Sequence, residues 1–88
     1  MISAGFNLKI VSREGTVYNG KVLSLTSYND RGKFDILELH ANFVSLIYKE
    51  IDIIDVKGNK QTIKIEKALL KNKDNNVEIY IGIDNISN

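Results

Sequence analysis

The chain has 88 residues, 43% of them apolar and 26% charged, with a formal net charge of +1. That length allows one small domain or less, with thin stability, so association with a partner is expected to matter. The absence of cysteine and a single histidine, His40, exclude disulfides, thiol chemistry and a histidine-based metal centre, and the near-zero charge argues against a dedicated nucleic-acid binder. No apolar run is long enough for a membrane span and no secretory leader pattern opens the chain, so a cytoplasmic location is expected. Ile, Asn and Lys supply 33 of the 88 residues, a bias expected of AT-rich coding that says little about function and warns of codon drift behind substitutions.

The dominant hydrophobic period is two. Leu8-Lys9-Ile10 alternates, and residues 16–26, entered through Glu14-Gly15, are rich in Val, Leu, Tyr and Thr. Residues 43–48 and 51–56 are near-continuous apolar and β-branched runs. Residues 61–65 alternate again, residues 66–73 fit a hairpin arm better than a helix, and Val77, Ile79, Ile81 and Ile83 fall on one face of a last strand. Turn chemistry separates these runs at Glu14-Gly15, at 29–32, at Lys57-Gly58-Asn59 and at 74–76. Some seven short strands at this spacing predict an all-β sandwich or barrel in one domain, 1–88, with 84–88 frayed.

Two hairpins take a definite predicted register. A three-residue loop Lys57-Gly58-Asn59, with Asn59 left-handed, sets Ile53 against Ile63, Ile51 against Ile65 and Asp52 against Lys64. A two-residue turn Asp74-Asn75 sets Leu70 against Ile79 and Ala68 against Ile81. Gly15, Gly20, Gly32 and Gly58 are read as turn and bulge residues.

No catalytic constellation is visible. His40 lies in a turn-like stretch, and Asp52 and Asp55 read as solvated strand residues, so no catalytic, cofactor or metal residue is assigned. Residues 57–73 carry six lysines against one glutamate, facing the acidic stretch 50–55 across the predicted hairpin. An alternative function therefore stays open: a small β-barrel using Lys60, Lys64, Lys67 and Lys71 for phosphate and Tyr80 for stacking, although the net charge opposes nucleic acid as a partner.

The stretch LKIVSREGTVYNGKVLSLTSYNDRGKFDILELHANFV, residues 8–44, resembles the N-terminal β-sandwich of the epsilon subunit of F-type ATP synthases. Positions matching that family's pattern include Leu8, Ile10, Val11, Glu14, Gly15, Val17, Tyr18, Gly20, Val22, Ser24, Gly32, Phe34, Ile36, Leu37, His40 and Ala41, and 69–83 continues the likeness. The resemblance implies a sandwich of two mostly antiparallel five-stranded sheets and a non-catalytic rotor role. It also implies a gamma subunit as partner and a loop, here 29–42, resting on the ring of membrane c subunits. The contact residues it implies are Gly32, Lys33, Phe34, Asp35, Glu38 and His40. Location would then be peripheral to the cytoplasmic membrane through the complex.

The departures are local. Lys33 replaces an acidic residue, Asp35 a glycine, Glu38-Leu39 a Pro-Gly pair, Asn42 a proline and Lys67-Ala68 a Gly-Gly pair. Loss of Pro and Gly predicts a different backbone path in the loop. Family members often add a C-terminal helical hairpin, and no such hairpin is expected here. A second alternative, motivated by the altered loop, is an epsilon-like subunit of a repurposed rotary ATPase without ring contact.

Overall fold

The computed structural model describes residues 5–82, all of them strand, turn or short connection. Six strands occur in chain order: β1 (Phe6–Ser12), β2 (Gly15–Asn29), β3 (Gly32–Leu37), β4 (Phe43–Asp55), β5 (Lys60–Lys73) and β6 (Asn76–Ile81). They hydrogen-bond in the order β1-β6-β5-β4-β2-β3, and an added β1–β2 pairing closes the first five into a ring. Every pairing is antiparallel except β1 with β6.

Three long strands replace the several short ones expected. β2 pairs with β1 through its first half and with β3 and β4 through its second. β4 and β5 likewise run through both layers, bent where Lys49 (φ 74) stands opposite the two residues Ile65 and Glu66. Counted by segment, one layer holds β3 and halves of β2, β4 and β5. The other holds β1, β6 and the remaining halves. The expected pair of five-stranded sheets is thus one continuous sheet folded into a four-segment and a five-segment layer, because bulged strands turn the corner instead of ending.

The alternation predicted from sequence places the core. Phe6, Leu8 and Ile10 of β1, Val22 and Leu25 of β2, Ile36 of β3, Ile47, Ile51 and Ile53 of β4, Ala68 and Leu70 of β5, and Val77 and Ile79 of β6 are buried together. Ile81 packs at its margin, while Ile83 and the segment 84–88, which was expected to fray, lie outside the described residues. Ser27, also buried, donates from Oγ to the Glu50 carbonyl at 2.7 Å, so this interior hydroxyl is satisfied.

The β5–β6 hairpin has its predicted register, Leu70 against Ile79 and Ala68 against Ile81. Its two turn residues, Asp74 (φ 51) and Asn75 (φ 67), are both left-handed, the geometry that matches strand twist. The β4–β5 hairpin does not have its predicted register: Ile51 faces Ile63, Asp52 faces Thr62 and Lys64 faces Glu50. The slip is two residues, so each side chain keeps its face. Its cause is Asp55, whose carboxylate accepts from the amides of Lys57 (2.9 Å) and Asn59 (3.0 Å), lengthening the loop, while Gly58 (φ 88) and not Asn59 takes the left-handed position. Gly20 is likewise no turn or bulge residue: it pairs with Leu8 in mid-strand, and the irregularity falls between Ile10 and Val11.

The backbone amide of Asn59, foremost, and that of Lys57 hold the Asp55 carboxyl below its ordinary range. A carboxyl lowered in the folded state leaves the unfolded chain binding its proton first, so the stabilisation is present above about pH 4 and is lost as pH falls through the folded value. Asp55→Asn should therefore flatten the acid-side loss of stability, read as the urea midpoint against pH below about 4.5 relative to wild type.

Candidate partner-binding site

The end of the barrel where β3 hands over to β4 is built by side-chain clamps. Leu37 ends β3, and the His40 amide donates to its carbonyl at 3.2 Å. Leu39 has φ 63, a region that disfavours any residue with a Cβ by about 1–2 kcal/mol. The side chain of Asn75 supports it: Oδ1 accepts from the Leu39 amide (2.8 Å) and Nδ2 donates to the Gly5 carbonyl (2.9 Å). Glu38 Oε1 accepts from the Gly5 amide at 3.2 Å. Asn42 Oδ1 accepts from the Asp74 amide (2.8 Å), and buried Asn72 donates through Nδ2 to the carbonyls of His40 (3.2 Å) and Ala41 (3.0 Å).

Leu39 occupies the position where the resembled family carries glycine. The backbone there is left-handed, a conformation that glycine adopts freely and leucine does not. Three asparagines, 42, 72 and 75, tie the segment to the β5–β6 turn and to β5, so these residues have structural roles. Gly5 belongs to the same cluster. Its φ is 70, and a Cβ there would sit 2.3 Å from the Val22 carbonyl oxygen.

Half of the stretch expected as a contact loop is strand. Gly32 opens β3, and Lys33, Asp35 and Leu37 point outward, with Asp35 accepting from Thr26 Oγ1 at 2.6 Å. Phe34 turns inward instead, its ring edge-on to Phe43 at 6.0 Å between centroids. His40 is exposed, 5.0 Å from the Phe43 ring centre, with Nδ1 2.9 Å from the Ala41 carbonyl. Phe34 and His40 thus both pack near the Phe43 ring, and Glu38 bonds to Gly5, while Gly32, Lys33 and Asp35 lie along the strand. The apolar tips at this end are Leu37, 58% exposed, and Leu39, 79% exposed. Sequence reasoning missed Leu39 as a contact candidate. The signal was present in the leucine at a glycine position.

The four lysines of the phosphate-binding alternative divide between two faces. Lys60 and Lys64 face Ile54 and Glu50 on the four-segment layer, whereas Lys67 and Lys71 face Tyr48 and Val44 on the five-segment layer. Lys64 Nζ meets Glu50 Oε1 at 2.7 Å, and that hydrogen bond raises the lysine pKa. No single groove collects all four, which removes the geometric basis of that reading.

Residues 5–82 match the family described as the beta-sandwich domain of the ATP synthase Delta/Epsilon chain. Curated relatives include the ATP synthase epsilon chain of Sulfurimonas denitrificans, 32% identical over 63 residues, covering 72% of this chain and 45% of that protein. That of Leptospira borgpetersenii is 33% identical over 81 residues, covering 90% of this chain and 62% of the relative. The chain thus spans about half the length of the curated relatives it matches. Among solved structures, a chain in the Euglena gracilis mitochondrial ATP synthase (OSCP/F1/c-ring) superposes with TM-score 0.83 at 18% identity over 92% of this chain and 52% of that one. A chain of the central stalk and c-ring of the Tetrahymena thermophila enzyme gives 0.76 at 10% identity, covering 92% of this chain and 66% of that one. At those identities the likeness is one of fold.

Two substitutions separate strain from clamp. Leu39→Gly should stabilise the domain by about 1 kcal/mol, because glycine adopts this φ freely. Asn75→Gly keeps the turn geometry and removes only the side-chain clamp, so it should cost about 1–2 kcal/mol. Thermal melts of both, run at one protein concentration, check the opposite signs.

Proposed function

Since the chain belongs to the delta/epsilon β-sandwich family of ATP synthases, we propose that it is a non-catalytic central-stalk subunit of an F-type or F-like rotary ATPase, binding a gamma subunit and helping couple ATP turnover to rotation. The observation that carries this reading is the family match across the whole described fold, and the shared fold of chains in two ATP synthase structures is consistent with it. No step of chemistry is assigned to the chain. Its task is mechanical: a closed sheet with few free edges moves as one body, so a load applied at one end reaches the other without local unfolding.

The clamped end is the proposed contact with the c subunits. Leu37 and Leu39 present apolar side chains there, beside His40, with Gly32, Lys33 and Asp35 on the adjoining strand. Phe34 and Glu38 support the surface from behind through Phe43 and Gly5. A tip held by asparagine clamps loses little freedom on docking, which favours binding. The exposed apolar tip formed by Leu37 and Leu39 favours ring contact over a repurposed motor that has lost it. Through such a complex the chain would sit at the cytoplasmic membrane surface.

Affinity purification of the tagged protein from its native cells, with mass spectrometry of co-purifying chains, tests the proposal. Gamma, catalytic and c chains are expected together. ATPase chains without any c subunit would end the ring-contact reading, and recovery of no ATPase chain would end the rotor reading.

A further inference from the structure

A sheet closed by bending still has open sides. Among the described residues, four strand segments have a ladder partner on one side only: β3, the first half of β2 (16–21), the first half of β4 (43–47) and the first part of β5 (60–65). Three of these carry residues that discourage a further strand from pairing. β3 opens on Gly32 and holds Lys33 and Asp35, the β2 segment holds Gly20 and Lys21, and the β5 segment holds Lys60 and Lys64. The β4 segment Phe43-Val44-Ser45-Leu46-Ile47 has no charge, glycine or proline and consists almost wholly of apolar residues that suit a strand.

The direction of the backbone groups on this segment follows from the neighbouring hairpin. The two-residue turn Asp74-Asn75 makes Lys73 and Asn76 a hydrogen-bonded pair, so Leu69, Lys71 and Lys73 bond to β6. Ala68, Leu70 and Asn72 therefore bond to the other side, to Ile47, Ser45 and Phe43 of β4. That leaves the N–H and C=O groups of Val44 and Leu46 pointing away from β5, toward the open side. The Ser45 hydroxyl donates to the Leu46 carbonyl at 2.9 Å, which leaves that oxygen a second lone pair. The Val44 and Leu46 side chains are 64% and 46% exposed, so the same two residues present bare apolar surface beside their outward backbone groups.

Such an edge is complementary to itself. In an antiparallel pairing about a twofold axis at Ser45, Val44 stands against the partner's Leu46 and Leu46 against the partner's Val44. Each of these pairs exchanges both of its backbone hydrogen bonds, four bonds in all, and brings two exposed apolar side chains together on one face. Residues 41–48 are uncharged at neutral pH, so no like charges meet along the pairing. Lys49, the first charge beyond it, would face the partner's Ala41. A strand of any other free segment would bring a charge or a glycine to the same place.

We propose that the open edge of β4, residues 43–47, pairs with the same edge of a second copy of this chain, joining two five-segment layers into one continuous sheet. Pairing uses up the one uncharged edge of each copy, so the assembly closes at two and does not grow into a filament. A ladder of five residues on each side is a small interface, so the association is weak, with a dissociation constant on the order of 0.1 mM. The inference concerns the chain by itself and stands independently of the rotor reading.

Sedimentation equilibrium of the full protein from about 10 µM to about 1 mM tests the pairing, with amide hydrogen exchange read at the two ends of that range. Wild type should pass from monomer to dimer with nothing larger, and exchange at the Val44 and Leu46 amides should slow as the dimer forms. Val44→Lys should weaken the dimer at least tenfold, and Val56→Lys, in the β4–β5 loop, should leave it unchanged. Val44→Lys with Leu46→Lys sets lysine against lysine across the axis, and Val44→Glu with Leu46→Glu sets glutamate against glutamate, so each double variant should stay monomeric. Mixed in equal amounts, the two should form a heterodimer, which a merely destabilised fold would not do. Val44 is the more exposed of the two positions, so Val44→Lys alone decides the edge if the double variants fail to fold. A wild type that is still monomeric at about 1 mM would overturn the proposal. Protection of the two amides by the gamma chain in that case would assign the edge to a different partner. A dimer indifferent to Val44→Lys, a folded pair of double variants that does not recombine, or species larger than two would each overturn it as well.

Discussion

Ring closure through bent strands is the constraint on which the rest of this structure depends. A six-stranded sheet laid flat would bury one face at most and leave two long edges for other chains to pair with. Here β2, β4 and β5 each cross from one layer to the other, and β1 joins β2 to β6. The crossing is made by small irregularities, of which the Lys49 position against Ile65 and Glu66 is the clearest. Each irregularity exchanges the faces of the residues beyond it in the strand. That is why Ile63 and Ile65 turn inward at odd positions of β5 while Ala68 and Leu70 turn inward at even ones. The division of lysines between two faces, and hence the distinct character of those faces, comes from a one-residue insertion.

Much of the fold was legible in the sequence because side-chain alternation is a strong signal wherever one face is buried. The β5–β6 hairpin was legible to the residue, since Asp74-Asn75 tolerates left-handed backbone and both flanking strands alternate cleanly. The strand count was not, because the interruption at Lys49-Glu50 resembles a strand boundary and is in fact a bend within β4. The β4–β5 register was misread for a different reason. A loop length can be counted, but the Asp55 side chain adopted as a surrogate backbone acceptor changes which residues belong to the loop. The candidate contact residues came from the family resemblance and were expected in a loop; that Gly32, Lys33, Phe34 and Asp35 lie on strand β3 was not read from alternation, and Leu39 was not among the candidates.

The Leu39 turn shows what a left-handed backbone demands of a residue with a Cβ. Glycine makes the left-handed conformation inexpensive, whereas leucine makes it costly and needs outside support. That support is the side-chain amide of Asn75, which itself sits left-handed in the opposite turn and also holds Gly5. Strain at one turn is thus tied to two distant segments, and the most exposed large apolar side chain among the described residues is carried on a stiff mount. Such an arrangement suits a surface that must meet a partner repeatedly in the same orientation.

The parallel pairing of β1 with β6 has a consequence for the birth of the molecule. Asn7 lies beside Asn76 and Val11 beside Tyr80, so the ring closes only when strands at opposite ends of the sequence meet. On the ribosome, β1 and β2 emerge early and can form a hairpin, but the free edge of β1 stays open until nearly the whole domain has been synthesised. Contacts of such large sequence separation slow folding, and an open apolar edge invites aggregation meanwhile. Lys9 on the outward side of β1 places a charge on that waiting edge, the kind of residue that keeps an unpaired strand from recruiting a neighbouring nascent chain.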